Sequence, residues 1–213
     1  AGVARIEATE KQFVQRCVDK MGLDFLANVG TANVVKDLDL LRAALGDEKL
    51  TYLGFSYGTL IGSAYAEAYP DKVRAMILDG AVDPDADQIQ SNIDQAAGFQ
   101  KAFNYFAADC AKHSGCPLGT DPAKAVDAYH RLVNPLVDKP AGTDDPRGLG
   151  YSDAITGTIM AMYSSTLCGH LTHGLDELAK GRGDTLLALA DAYMNRDGQG
   201  HYTNSMDALI AIN

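Results

Sequence analysis

One short segment of the chain has the residue types and spacing of a catalytic nucleophile. Ser56 lies within Gly54-Phe55-Ser56-Tyr57-Gly58. This Gly-x-Ser-x-Gly pattern is typical of a serine on a sharp, strained turn between a strand and a helix, with its hydroxyl exposed. The residues two before and two after such a serine must be almost free of side-chain atoms, and Gly54 and Gly58 meet that need. At the helix start, the N–H of Tyr57 can point towards a developing oxyanion. We therefore predict that Ser56 is a catalytic nucleophile.

The flanking sequence predicts the strand and the helix that such a turn requires. Residues 49–58 carry apolar side chains into the turn, and residues 59–69 have a helical pattern in which Gly62 and Ser63 permit close packing on the strand. Residues 73–78 are short and largely apolar, follow a Tyr-Pro-Asp breaker and end in Asp-Gly, which predicts a second strand. This order predicts parallel neighbours in a helix-covered sheet, with the serine at the carboxyl end of the first strand.

A helix upstream of the first strand completes the predicted core. Thr31 is predicted to cap this helix and Gly46 to close it. The apolar side chains between them form one stripe: Val34, Val35, Leu38, Leu40, Leu41 and Leu45. We expect an α/β core over about residues 25–85.

Three runs within residues 31–84 resemble a known family. They are DLDLLRAALG at 37–46, YLGFSYGT at 52–59 and VRAMILDGAVDP at 73–84. The runs resemble bacterial secreted tripeptidyl aminopeptidases, which are α/β-hydrolase serine peptidases related to prolyl aminopeptidases. The resemblance continues more loosely through a helical insertion that looks like the family's cap. It implies a Ser-Asp-His triad, with the cap inserted between the serine-bearing half of the core and the half that carries Asp and His. Of this triad, only Ser56 is carried over to the chain.

We predict an α/β fold in which a partial α/β-hydrolase core, the half with the nucleophile elbow, carries a helical cap domain. The core is expected over residues 1–85 and the cap over residues 86–213. The core looks incomplete, because two strands are convincing, no His-Gly-Gly segment precedes the turn to supply a second oxyanion N–H, and no histidine follows a late core strand. We therefore expect a fragment that lacks the triad Asp and His.

The five histidines and Asp79 offer internal alternatives for the missing triad members. His201, in Gly-Gln-Gly-His-Tyr, is the best of them, although the segment before it has a helical pattern where a strand is needed. Asp79 ends the second predicted strand, where a triad acid could lie, but Asp-Gly is also a common turn, and we favour the turn or a supporting polar role. The other histidines are interpreted as ordinary cap residues: His113, His130, His170 and His173.

Beyond Asp83 the pattern is helical. The predicted helices cover about residues 88–112, 122–137, 152–166, 169–180, 183–195 and 204–212. The helix predicted over 88–112 has an apolar stripe, which usually packs against a core and could also cover a substrate pocket. The stripe consists of Ile89, Ile93, Ala96, Phe99, Phe103 and Phe106. Three acidic residues of the cap are candidates to hold a substrate ammonium group, or are solvated helix faces: Asp153, Asp176 and Glu177.

The four cysteines bear on the redox compartment. Cys110 and Cys116 bracket a helix end and a Ser-Gly turn, a spacing that fits a local disulfide, whereas the alternative is two reduced thiols in a cytosolic chain. The family resemblance favours the disulfide and, with it, a secreted or extracytoplasmic protein. Cys17 and Cys168 could pair with each other or with cysteines outside this chain. Neither a CxxC pair nor the spacing of a zinc site is present, so no metal or cofactor is expected.

The net charge of −10 argues against nucleic acid or an anionic membrane as a partner. The sequence has no apolar span of 18 residues, so we expect no membrane insertion. It also shows no signal peptide, but a processed secretory protein would lack its signal as well.

The favoured function is that of a serine peptidase releasing short N-terminal peptides through an acyl-enzyme on Ser56. A cap over the nucleophile restricts access and suits an exopeptidase. An esterase on the same fold is the nearest alternative, because the turn does not distinguish amides from esters. A non-catalytic lid or binding module is the third, since the chain supplies no evident base. The expected partners are a peptide or small ester substrate and the remaining segments of the same enzyme.

Overall fold

The computed structural model describes residues 2–212, apart from the side chain of Gln88. Helices and parallel strands alternate in its first part. In chain order the elements are α1 (Gly2–Met21), α2 (Leu23–Leu26), α3 (Thr31–Ala44), β1 (Leu50–Phe55), α4 (Tyr57–Ala68) and β2 (Val73–Asp79). A short 3-10 helix at Pro70–Lys72 joins α4 to β2. The predicted strand, helix and strand are therefore confirmed, whereas α1 and α2 had no counterpart among the predicted elements.

The two strands pair in parallel, with Leu53 opposite Ile77 and Phe55 opposite Asp79. Helix α4 connects them and packs on the face of the sheet that carries Tyr52 and Leu78. A Cβ at Gly62 would lie 2.6 Å from Leu78 Cδ2 and 2.9 Å from Tyr52 Cε1. The absence of a side chain at Gly62 thus permits the close packing of helix on strand that the sequence predicts.

Helix α3 ends as predicted but begins differently. Gly46 has a φ of 79° after the last helical turn, and the Asp47 N–H donates to the Arg42 carbonyl at 3.1 Å, which is the hydrogen bond of a Schellman cap. The N-cap position is held by Gly30, and Thr31 is the first helical residue. The prediction of Thr31 as the cap was therefore wrong, because its hydroxyl bonds to a tyrosine on another helix instead.

The apolar stripe of α3 is only partly buried. Val35 is buried, whereas Leu40, Leu41 and Leu45 are exposed. The helix is secured by polar contacts, since the buried Arg42 donates to Asp39 at 2.8 Å and to the Asp47 carbonyl. These apolar side chains follow the helical period of a core-facing helix but lack a covering element among the described residues.

The second part of the chain is helical. Its elements are α5 (Gln88–Cys110), α6 (Ala125–Val133), α7 (Tyr151–Met162), α8 (Cys168–Ala179), α9 (Asp184–Tyr193) and α10 (Ser205–Ile212). The predicted helices are confirmed, with one difference: the segment predicted over 122–137 consists of α6 between two 3-10 turns, Pro122–Lys124 and Asn134–Val137. Pro135 explains the second of these turns, since it lacks the N–H that an α-helix would need.

A dense core lies among the helices of this second part. Helices α7 and α9 approach so closely that a Cβ at Gly157 would lie 2.4 Å from the Leu186 carbonyl oxygen. Gly174 of α8 faces the side chain of the same Leu186. Five aliphatic side chains in this core have almost no exposed surface: Val133, Leu149, Leu171, Leu175 and Leu186.

The predicted disulfide is confirmed. Cys110 and Cys116 are bonded with an S–S distance of 2.00 Å, at the C-terminal end of α5. Cys17 and Cys168 carry free, partly buried thiols, so the pairing considered between them is not formed.

An ion-pair network fastens the loop between α6 and α7. Arg147 contacts Asp145 at 3.1 Å and Asp191 at 2.7 Å, and Arg196 contacts the same two carboxylates at 3.3 and 3.1 Å. Hydrogen bonds from the Arg147 side chain and backbone lower the pKa of Asp145 to about 2. Charged groups therefore hold the loop to α9, in addition to the burial of the loop residue Leu149 in the core.

The chain divides into two compact units, each described here by itself. The strand unit comprises Ala1–Ala86 with Met206–Asn213, and the helical unit comprises Asp87–Ser205. In this division residues 206–213 belong with the strand unit, and the predicted boundaries of core and cap stay a prediction. No helix in residues 2–212 is both long and apolar enough to cross a bilayer.

Candidate active site

Ser56 occupies a strained backbone position between β1 and α4. Its φ of 50° and ψ of −121° are unusual for a residue with a side chain, and the residue is exposed. Such a conformation costs about 1–3 kcal/mol and persists only where the surroundings enforce it. A strand that turns this sharply into a helix presents the side chain of the turn residue at the end of the sheet.

The two glycines of the motif differ in how strictly they are needed. A Cβ at Gly54 would lie 2.5 Å from the Gly58 carbonyl oxygen, which no side chain can occupy without moving the backbone. A Cβ at Gly58 would lie 3.4 Å from the Tyr52 hydroxyl oxygen, an ordinary contact. The predicted need for a glycine therefore has a steric basis at Gly54, while at Gly58 the space admits a methyl group.

Hydrogen bonds from distant residues hold the turn. The Ser56 N–H donates to the Asp79 carbonyl at 3.1 Å, which joins the turn to the end of β2. The Tyr52 hydroxyl donates to the Gly58 carbonyl at 2.8 Å, and burial raises the pKa of Tyr52. On α3, the Thr31 hydroxyl lies 2.6 Å from the Tyr57 hydroxyl. These contacts tie the first turn of α4 to both strands and to α3.

Thr59 makes a further link that the sequence motif did not reveal. Its hydroxyl donates to the Ser56 carbonyl at 2.7 Å and accepts the Val82 N–H at 2.9 Å. The sequence pattern predicts Thr59 only as a helical residue. A polar residue one turn into an otherwise apolar helix start was the signal available in the sequence.

The N–H of Tyr57 is the group predicted to stabilise an oxyanion, and that role stays a prediction. Tyr57 is the first residue of α4, directly after Ser56. The first N–H groups of a helix have no intrahelical acceptor and carry the positive end of the helix dipole. An anion formed next to Ser56 would therefore meet a favourable field.

A family model described as alpha/beta hydrolase fold matches residues 16–165 of the chain. The chain belongs to the alpha/beta hydrolase family. The predicted fold class, a partial α/β-hydrolase core with a helical portion, is thereby confirmed.

Similar proteins agree with this assignment. The chain is 69% identical over 219 residues to the serine protease Hip1 of Mycobacterium tuberculosis, an alignment that covers 100% of the chain and 42% of the relative. It is 55% identical over 214 residues to carboxylesterase B of the same organism, covering 100% of the chain and 41% of the relative. It is 37% identical over 139 residues to the tripeptidyl aminopeptidase of Streptomyces lividans, covering 62% of the chain and 25% of the relative.

The resemblance predicted from the sequence motifs is therefore confirmed. The chain spans 42% and 41% of the length of the two Mycobacterium relatives that it matches over its whole length.

All histidines of this α/β-hydrolase chain lie outside the strand unit, since residues 1–86 and 206–213 contain none. His201, the best internal alternative, is exposed on a short loop with its Nδ1 3.3 Å from the Asp197 carboxylate. His173 pairs with Glu177 one turn along α8, and His130 lies beside the ring of Tyr129.

The acidic residues considered for substrate binding all have local contacts. Asp153 accepts the Gly150 N–H at 3.2 Å at the start of α7, and Asp176 pairs with Lys180 at 2.6 Å. Glu177 accepts the Thr185 N–H at 3.0 Å. Asp79, considered as a triad acid, ends β2, and Gly80 follows it with a φ of 68°, as a turn requires.

The helical unit contains an apolar pocket of about 240 Å³ between α5, α6 and α7. Phe99 and Phe103 of the predicted α5 stripe line it, together with Ile155, Ile159 and Met162. Ile89 and Ile93, at the start of that stripe, are exposed. Among the described residues, no three His, Cys, Asp or Glu side chains are grouped as metal ligands.

Proposed function

We propose that the protein is a serine peptidase that releases short N-terminal peptides through an acyl-enzyme on Ser56. The observation that carries this proposal is the backbone of Ser56, whose φ of 50° places an exposed serine at the strained junction of β1 and α4. In this interpretation the junction is a nucleophile elbow. The names of two relatives, a serine protease and a tripeptidyl aminopeptidase, support the peptidase class.

In the proposed reaction, Ser56 Oγ attacks the carbonyl carbon of the scissile peptide bond as a base removes its proton. The oxygen that becomes negatively charged is stabilised by the Tyr57 N–H. The base then returns the proton to the leaving amine as the C–N bond breaks, which leaves an ester on Ser56. Water, activated by the same base, hydrolyses this ester and restores the hydroxyl.

The base and the acid that orients it are proposed to lie outside these 213 residues. Two observations support this. The strand unit that carries Ser56 contains no histidine, and the Mycobacterium relatives are more than twice as long as the matched region, which covers 42% and 41% of them. The remaining segments of the same enzyme are then the partner that completes the site.

An esterase is the second candidate. The chain is 55% identical to a protein named carboxylesterase B, and attack by a serine on a turn is equally suited to an ester carbonyl. The two functions differ in the leaving group, because an amine must be protonated to leave whereas an alkoxide needs less assistance.

We also propose that the protein works in a secreted or extracytoplasmic compartment. The Cys110–Cys116 disulfide supports this, since such bonds persist in oxidising environments.

The test is labelling of the natural full-length protein with a fluorophosphonate probe, followed by intact mass and peptide mapping. We expect one adduct, on Ser56, and none in Ser56→Ala. Ser63→Ala is the matched control, because Ser63 lies on α4, shortly after the turn, and its hydroxyl donates to the Leu60 carbonyl at 3.0 Å. Undiminished labelling or turnover in Ser56→Ala would contradict the proposal. Tripeptidyl-amide substrates compared with small ester substrates then distinguish peptidase from esterase, since only the peptidase cleaves the amide efficiently.

A further inference from the structure

Thr59 is the most deeply buried polar residue next to Ser56. It lies three residues after Ser56 on the first turn of α4 and is 1% exposed. Its hydroxyl donates to the Ser56 carbonyl at 2.7 Å and accepts the Val82 N–H at 2.9 Å. A hydroxyl is a donor and an acceptor at once, so one atom satisfies two backbone groups that belong to different parts of the chain.

The end of β2 and the segment that follows it therefore hold Ser56 at both ends of its backbone. The Ser56 N–H donates directly to the Asp79 carbonyl at 3.1 Å. The Ser56 carbonyl is linked through Thr59 to the Val82 N–H. Gly80 passes so close to the turn that a Cβ there would lie 3.8 Å from the Ser56 nitrogen. The strained φ of Ser56 is thus enforced by residues that are more than twenty positions away in sequence.

We propose that Thr59 is a positioning residue that sets the orientation of the Ser56 hydroxyl by bridging the turn to the segment after β2. This inference rests on the proposed function of Ser56 as the nucleophile. Orientation of a nucleophile affects the chemical step more than substrate binding. Loss of the bridge therefore lowers kcat and leaves KM nearly unchanged, which a residue that merely supports the fold would not do.

The experiment compares Thr59→Val with Thr59→Ser in the natural full-length protein. Valine has nearly the shape of threonine and keeps the Thr59 N–H, which also donates to the Ser56 carbonyl at 2.9 Å. It removes only the hydroxyl that links this carbonyl to the Val82 N–H, and it leaves the Val82 N–H without its acceptor. Serine keeps the hydroxyl and loses only a methyl group. Thr51→Val is the matched control, because Thr51 is exposed on β1 and its hydroxyl bonds only the Arg74 side chain at 2.6 Å.

The measurements are kcat per titrated active site, KM, and the rate of fluorophosphonate labelling. For Thr59→Val we expect a fall in kcat and labelling rate of between about tenfold and about 100-fold, with KM within about twofold. Thr59→Ser and Thr51→Val should remain within about threefold of the wild type. A folded Thr59→Val with wild-type kcat per active site overturns the proposal, as does a loss that Thr59→Ser shares in full.

Two further measurements keep the inference separate from the proposed function and from folding. If wild-type protein is not labelled at Ser56, the proposed function fails, and the positioning role fails with it. Amide hydrogen exchange at Val82 then still reports the bridge, since exchange should be faster in Thr59→Val than in Thr51→Val. If Thr59→Val does not fold, Val82→Pro removes the donor from the exposed end of the bridge, and wild-type labelling of that variant overturns the proposal.

Discussion

The helical unit encloses a core of buried apolar side chains, whereas the strand unit leaves one face of its sheet open. In the helical unit Leu171 and Leu186 have no exposed surface. In the strand unit Leu53, Phe55 and Ile77 are 56%, 60% and 64% exposed, and all three lie on the face opposite α4. Parallel sheets are normally covered on both faces. The helical unit therefore has a core of its own. The strand unit, which carries the candidate nucleophile, needs contacts from other residues to cover the open face of its sheet.

The largest expected difference between the two units is in their ability to fold when each is expressed alone. Residues 87–205 expressed alone should unfold cooperatively on heating, because their core is closed. Residues 1–86 alone should bind a hydrophobic dye and show no cooperative transition, since no described residue covers the open sheet face or the exposed leucines of α3. Thermal circular dichroism and dye fluorescence decide this. A sharp thermal transition in residues 1–86 would show that the open face does not limit stability.

Next in size is the effect of a methyl group at the turn of the strand unit. Gly54→Ala should destabilise the unit by about 3 kcal/mol, because its Cβ would lie 2.5 Å from a backbone carbonyl oxygen. Gly58→Ala is the matched control and should stay within about 1 kcal/mol of the wild type. Denaturant unfolding of both variants measures the contrast. Equal losses would mean that the backbone at Gly54 can relax.

The disulfide offers a smaller effect on the helical unit. Replacing both Cys110 and Cys116 by serine should lower the free energy of unfolding of the helical unit by about 2 kcal/mol. This is the contribution expected from the loss of unfolded-chain entropy when a short loop is cross-linked. The same loss should follow reduction with dithiothreitol. Cys17→Ser, in the strand unit, is the control and should leave the unfolding of the helical unit unchanged. A double variant as stable as the wild type would show that packing alone holds the end of α5.

The smallest expected effect is sensitivity to acid in the helical unit. The folded-state pKa of Asp145 is lowered from its ordinary 3.8 to about 2 by Arg147. A lowered pKa stabilises the fold above pH 3.8, and this contribution is lost as the pH falls towards 2. Asp145→Asn should therefore weaken the pH dependence of the melting temperature in that window. Asp138→Asn, on an exposed residue just before the loop, is the control. An unchanged acid profile in Asp145→Asn would assign the sensitivity to other carboxylates.

Helical periodicity and turn chemistry were enough to predict the elements of the helical unit. The bounds of α7, α8 and α9 lie within a few residues of the predicted segments, because Gly, Pro and polar breaks interrupt the apolar pattern there. The spacing of Cys110 and Cys116 fitted either a local disulfide or two reduced thiols, and the family resemblance favoured the disulfide that the structure has. The N-cap of α3 was not predictable, because Thr31 has a hydroxyl suited to capping but a partner elsewhere, on Tyr57.

The candidate site likewise combines features that the sequence predicted with contacts that it did not. The sequence predicted a strand, a strained serine and a helix, and the structure has this order with Ser56 at a φ of 50°. The catalytic role of Ser56 and of the Tyr57 N–H stays a prediction. The links from Tyr52 and Thr59 were missed, since each depends on which groups of other elements come within hydrogen-bonding distance.

The linear pattern alone therefore determined the strand–turn–helix order and the helices of the helical unit, because each depends on residues close together in the chain. Only the tertiary structure decided that Gly54 is under stricter steric constraint than Gly58, that Thr59 bridges Ser56 to Val82, and that the apolar stripe of α3 stays exposed. Clashes, buried hydrogen bonds and burial are set by residues distant in sequence, and their positions exist only once the elements pack.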